Sequence, residues 1–100
     1  FLPDGQGFYS IVSAETGGTL EIPDYSNYEQ GTQIHVSQPN GTINEKWRID
    51  FCQGSYVIRA ASKLNLVLNA FGGGCNAGDA VGIWPHEGGR KNELWSFAPN

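Results

Sequence analysis

An Asn-Glu-x-Trp tetrapeptide stands at residues 44–47 and returns at residues 92–95, and no other feature of this 100-residue chain restricts its folding as much. Internal repetition on this scale means repeated structural units that bury their apolar faces against one another. When residues 9–49 are laid over residues 56–97, five landmarks fall in the same order. Tyr9 and Ile11 meet Tyr56 and Ile58, Leu20 and Ile22 meet Leu66 and Leu68, and Gly31 meets Gly78. Ile34 and Val36 then meet Val81 and Ile83, and Asn44 and Trp47 meet Asn92 and Trp95. One small gap before Leu66 and another before Asn92 keep the offset between 46 and 48.

Within each unit the landmarks form four short segments in which apolar and other residues alternate, the period of a strand with one buried face. Between them lie turn-forming stretches at residues 15–18, 23–31, 38–41, 72–74 and 87–89. Fourteen Gly and five Pro disfavour helices and suit many tight turns. The expectation is an all-β chain with two four-stranded units, at about residues 8–51 and 55–98. In the same register Phe1 and Leu2 fall on Arg48 and Ile49, so residues 1–7 read as the last strand of a unit that is otherwise missing. Residues 1–100 are then a single, incomplete domain whose open sheet edge association must cover.

The formal charge of −4, with six Lys and Arg that never cluster, argues against nucleic acid and anionic membrane surfaces as partners. No apolar run approaches the roughly 20 residues that cross a bilayer, so membrane insertion is not expected. The chain lacks Met altogether, which reads as an N-terminus made by processing, proteolysis or trimming. Cys52 and Cys75 are compatible with a disulfide or with two thiols. Asn40-Gly41-Thr42 is a glycosylation triplet in a turn, in keeping with a secreted or extracellular protein; a cytoplasmic location stays open. The sequence holds no nucleophile elbow, no phosphate-cradling Gly loop and no paired His-carboxylate motif, and His35 and His86 stand without neighbours at metal-ligand spacing. The reading is of a non-catalytic chain without cofactor or metal.

Gly78-Asp79-Ala80-Val81-Gly82-Ile83-Trp84, followed by Asn92-Glu93-Leu94-Trp95, resembles the Gly-x-x-Val-x-Leu-Trp and Asn-Gln-x-Trp signature of the ricin B-type lectin family. Gly31 to Ser37, followed by Asn44-Glu45-Lys46-Trp47, fits the same frame, so the resemblance runs from Phe8 to Phe97. Both units carry Glu where the family usually carries Gln. The resemblance implies a β-trefoil of which two of the usual three repeats are present. It also implies multivalent binding of glycans, of galactose or GalNAc type. The third repeat would come from a segment cut away, from a partner chain, or from a homo-oligomer in which three two-unit chains build two trefoils.

The resemblance also assigns site residues. The position of Trp84 carries the aromatic platform for a sugar ring; the first unit has Ser37 there. An acid in the second strand accepts hydrogen bonds from sugar hydroxyls. In the first unit that acid is Glu21, with Asp24 close behind. In the second unit Val67 falls on it, unless the gap moves and Asn65 or Asn69 substitutes, and Asp79 lies nearby. Asn44 with Glu45, and Asn92 with Glu93, serve either a sugar or the local backbone. Trp47 and Trp95 read as core aromatics. Each unit thus holds part of a site, acid without platform in the first and platform without acid in the second. The competing reading is a degenerate trefoil that makes protein contacts within a larger toxin or enzyme, with Trp84 as an interface anchor.

Overall fold

Short alternating segments punctuated by Gly and Pro fold here as short antiparallel strands. The computed structural model describes residues 2–23, 31–52, 54–71, 80–86 and 91–96, without the side chains of Cys52 and Lys91. Asp24, Asp79 and Cys75 lie outside the described residues. Among the described residues the strands are β1 (Leu2–Pro3), β2 (Tyr9–Ser10), β3 (Thr19–Glu21), β4 (His35–Ser37), β5 (Trp47–Cys52), β6 (Ser55–Ala60), β7 (Lys63–Ala70) and β8 (Val81–Pro85). Single turns of 3-10 helix at Ile43–Glu45 and Lys91–Glu93 lead into Trp47 and towards Trp95. Six strands form one antiparallel sheet in the order β1-β2-β5-β6-β7-β8, and β3 pairs with β4 as a separate hairpin.

Two joints connect the units. The first is the β5–β6 hairpin, six residue pairs from Trp47↔Ala60 to Cys52↔Ser55, closed by Gly54 at φ 81°. The second runs between the approach to β4 and strand β8. Gly31 N–H donates to the Ile83 carbonyl at 2.7 Å, Ile83 N–H to the Thr32 carbonyl at 3.0 Å, and Ile34 N–H to the Val81 carbonyl at 3.0 Å. Gly82 sits at the centre of this joint because nothing larger fits: a Cβ there would overlap the Phe71 ring and the Thr32 carbonyl.

Trp47 is wholly buried in a core with Ile22, Ile58, Ala60, Leu66, Leu68 and Ile83. An aromatic side chain of this size removes roughly 150–250 Å² from water, which favours folding by about 4–6 kcal/mol. Its Nε1 donates to the Leu20 carbonyl at 3.1 Å, and Trp95 Nε1 donates to the Leu68 carbonyl at the same distance, each bond spanning 27 residues. Likewise Asn44 Nδ2 donates to the Ile22 carbonyl and Asn92 Nδ2 to the Ala70 carbonyl. These paired bonds correct the expected overlay. Leu20 corresponds to Leu68 and Ile22 to Ala70, so Glu21 falls on Asn69 rather than on Val67. The two overlays differ by two residues, the period of a strand, so apolar alternation alone does not separate them.

The core is open on one side. Leu20, Ile34, His35 and Val36 of the first unit, with Leu68, Val81 and Trp95 of the second, line a mostly apolar groove of about 310 Å³. Val36 remains 53% exposed there, and Trp95 is covered only in part.

Candidate functional site

In the first unit the polar side chains at the site positions are bound to one another. β3 and β4 pair so that Glu21 stands opposite His35 and Thr19 opposite Ser37. The Glu21 carboxylate, nearly buried, lies 2.8 Å from His35 Nε2 and accepts from Asn40 Nδ2 at 3.1 Å. Asn44 uses its Nδ2 on the Ile22 carbonyl and its Oδ1 on the Thr42 hydroxyl. Glu45, also buried, accepts from the Gly41 N–H at 2.6 Å, from the Asn40 N–H at 3.1 and 3.2 Å, and from the Thr19 hydroxyl at 3.2 Å. All of its partners are donors, so a carboxylate suits this place better than an amide, one of whose two ends only donates. Glu45 therefore ties the 38–41 turn to β3. Beside it, an open depression of about 420 Å³ along residues 16–18 and 36–39 has no charged side chain in its wall.

The second unit has the same frame with different occupants. In the β7–β8 pairing Trp84 is opposite Val67 and Asn69 is opposite Gly82, so Trp84 and Asn69 share one face of the hairpin. Leu68 and Ile83 point the other way, into the core. Trp84 is half-buried, and the position of a Cβ on Gly31 would lie 3.6 Å from its Cζ3, so the first unit reaches the ring with bare backbone. Asn92 brings its Nδ2 to Asn69 Oδ1 at 3.2 Å and to the Ala70 carbonyl at 3.3 Å. Because a carbonyl only accepts, the Asn92 atom facing it is the nitrogen, and the Asn69 atom facing that nitrogen is the oxygen. Asn69 Nδ2 and Asn92 Oδ1 are left without a protein partner among the described residues. Asn69 is nevertheless only 4% exposed. Glu93 is fully buried, and its Oε1 lies 2.9 Å from His86 Nδ1, near enough for an ion pair but not aligned as a hydrogen bond.

The structure thus sets Asn69 and Trp84 on one face of the second hairpin, with Asn92 bonded to Asn69 and Glu93 beside His86, and brings together Glu21, Asn44 and Glu45 in the first unit. Four contributors were missed in the sequence: Thr19, His35, Asn40 and His86. No metal-ligand spacing marks the histidines in the sequence, yet each stands beside a buried Glu. Hairpin register holds the signal for His35, since any pairing that sets Leu20 against Val36 sets Glu21 against His35. His86 lies two residues beyond Trp84, the spacing that returns a strand residue to the same face.

Comparison with protein-family models matches residues 1–84 to the ricin-type beta-trefoil lectin domain-like family. Comparison with curated protein sequences returned no match. Among solved structures, the chain is similar to the designed 3-fold symmetric protein ThreeFoil, with TM-score 0.85 and 24% identity over 95% of this chain and 66% of that one. It is similar to a mosquitocidal holotoxin, with TM-score 0.80 and 21% identity over 95% of this chain and 12% of that one. It also resembles 1,3Gal43A, an exo-beta-1,3-galactanase from Clostridium thermocellum, with TM-score 0.83 and 26% identity over 95% of this chain and 20% of that one. The chain therefore spans less than two thirds of each of these proteins, and its fold is β-trefoil-like.

Proposed function

The chain belongs to the ricin-type beta-trefoil lectin domain-like family, and from that premise we propose that it is a non-catalytic carbohydrate-binding module whose working site is in the second unit, around Trp84, Asn69 and Asn92. One observation carries this reading: among the described residues Asn69 Nδ2, on the hairpin face that carries Trp84, and Asn92 Oδ1 have no protein partner, whereas in the first unit Glu21, Asn44 and Glu45 are bound to neighbouring groups. A sugar needs a flat apolar surface for its ring and unspent donors and acceptors for its hydroxyls. Trp84, Asn69 Nδ2 and Asn92 Oδ1 supply both. In the first unit Glu21 is held by His35 and Asn40, Asn44 by Ile22 and Thr42, and no aromatic replaces Ser37. Similarity to part of a galactanase supports galactose-type glycans as the ligand class.

The open groove belongs to the same reading. It is lined by equivalent pairs, Leu20 with Leu68 and Ile34 with Val81, so its natural occupant is a third unit offering the same kind of residues. That unit comes from a partner, from further chain or from another copy; in an assembly of three copies, one copy alone would part its two units and open the six-pair β5–β6 hairpin. A single shallow sugar site binds at about millimolar strength, so assembly raises avidity as well as covering apolar surface.

Titration with methyl galactosides, followed by ¹⁵N NMR of the three indoles, tests the site. The Trp84 indole is expected to move on saturation while that of Trp47 stays still, and Trp84→Ala is expected to abolish binding. Glu21→Ala and Asn44→Ala are expected to leave affinity within about twofold. Loss of binding on altering the first unit, or a Trp84→Ala effect confined to assembly in sedimentation, would turn the reading towards a protein-contact module.

A further inference from the structure

We propose that the second-unit site selects acidic sugars, with a ring-borne carboxylate of the uronic acid kind placed against Asn69, over the neutral sugar of the same ring. This rests on the reading of that unit as a carbohydrate site and adds the chemical class of the ligand. The inference starts from the hydrogen-bond directions. Asn92 Nδ2 is fixed as a donor by the Ala70 carbonyl, and it takes up Asn69 Oδ1. What Asn69 still offers is its Nδ2, a group that donates and cannot accept. Among the described residues no protein atom meets it, and although the residue as a whole is only 4% exposed this nitrogen is not closed off from solvent, so it stays open to a ligand.

A ligand group set against that nitrogen must bring a lone pair. A hydroxyl can do so, but it then keeps a proton that must find its own acceptor. A carboxylate oxygen brings lone pairs only, and a hydrogen bond to an ionised acceptor is roughly twice as strong as one between neutral groups. Among the described residues the surroundings permit the charge. On the shared face of β7 and β8, Asn69 is flanked by Val67, Phe71, Gly82 and Trp84, none of them ionisable. The buried carboxylate of this unit, Glu93, has the His86 imidazole 2.9 Å from its Oε1. The first unit is the internal contrast, because Glu21 sits at the place of Asn69 and a carboxylate there repels an anion.

The test compares methyl α-D-galacturonoside with methyl α-D-galactoside on the whole chain at pH 7, following the Asn69 side-chain amide and the Trp84 indole by ¹⁵N NMR. Both sugars are expected to shift the indole, with the uronoside binding about fivefold tighter or more, as a stronger charge-assisted bond implies. Asn69→Asp, nearly isosteric, is expected to reverse the order, weakening the uronoside by at least tenfold more than the galactoside. Equal affinities in the wild type, or a tighter galactoside, overturn the inference and leave the carbohydrate reading standing. An unchanged order in a folded Asn69→Asp protein overturns it as well. If neither sugar moves Trp84, this inference and the reading beneath it fall together. The wild-type comparison needs no variant, so a failure of Asn69→Asp to fold does not protect the proposal.

Discussion

Glu45→Gln is the smallest change that isolates what the first unit does with its polar groups. The side chain keeps its size, but one oxygen that now accepts becomes an amide that only donates. If Oε1 stays with the Gly41 and Asn40 N–H groups, the new NH₂ faces the Asn40 N–H and the Thr19 hydroxyl. The hydroxyl can turn to accept; the backbone N–H cannot. One shared hydrogen bond is lost, and the remaining ones lose the help of a formal charge, each such bond being worth about 1.5–3 kcal/mol against about 1 kcal/mol for a neutral pair. Because Asn40 and Gly41 are exposed and can take water, a net cost of about 1–2 kcal/mol follows. In a domain of this size that lowers Tm by roughly 5–15 °C. Thermal unfolding by circular dichroism at pH 7 measures it, with sugar affinity in the second unit expected to stay put. A Glu45→Gln protein that melts with the wild type, while Glu45→Ala melts well below both, would refute the reasoning: packing, and not the count of acceptors, would then hold the turn.

Two further outcomes follow from the fold. Gly82→Ala drives a methyl into the Thr32 carbonyl and the Phe71 ring at the joint between units, so a loss of about 1–3 kcal/mol is expected in urea unfolding, together with faster amide exchange at Ile83 and Ile34. For Asp50, burial works to raise the carboxyl, but hydrogen bonds from Arg48 at 3.0 Å and Arg59 at 2.8 Å outweigh it and hold the group below its ordinary 3.8. A lowered folded-state value means stability that is present above the unfolded value and lost as pH falls through the folded one. The gap in urea midpoint between wild type and Asp50→Asn should therefore be widest at pH 6 and shrink below about pH 4.

Much of the fold is legible in the sequence because it rests on local pattern. Alternation at Tyr9, Leu20, Ile34 and Trp47, and again at Tyr56, Leu66, Val81 and Trp95, demands half-buried strands, and the Gly-rich stretches between them demand turns. Trp47 reads as core because it recurs in phase, and it is core. Trp84 stands out for the opposite reason, as an aromatic without a counterpart at Ser37. Those inferences need no knowledge of distant contacts.

Tertiary structure alone decided the register and the disposition of the polar groups. An overlay shifted by two residues keeps every apolar side chain on its face, so pattern gives no reason to prefer Asn69 over Val67 as the mate of Glu21. The bonds of Trp95 to Leu68 and of Asn92 to Ala70 do. Nor can composition tell a spent carboxylate from a free amide. Glu21 is occupied because His35 and Asn40, remote in sequence, converge on it, and Asn69 keeps its Nδ2 because Asn92 arrives from a separate turn and takes the oxygen instead. A hydrogen bond joins two particular atoms in one direction, whereas burial asks only that a side chain be apolar and on the right face, and that is why the sequence determined the scaffold and the folded chain decided the site.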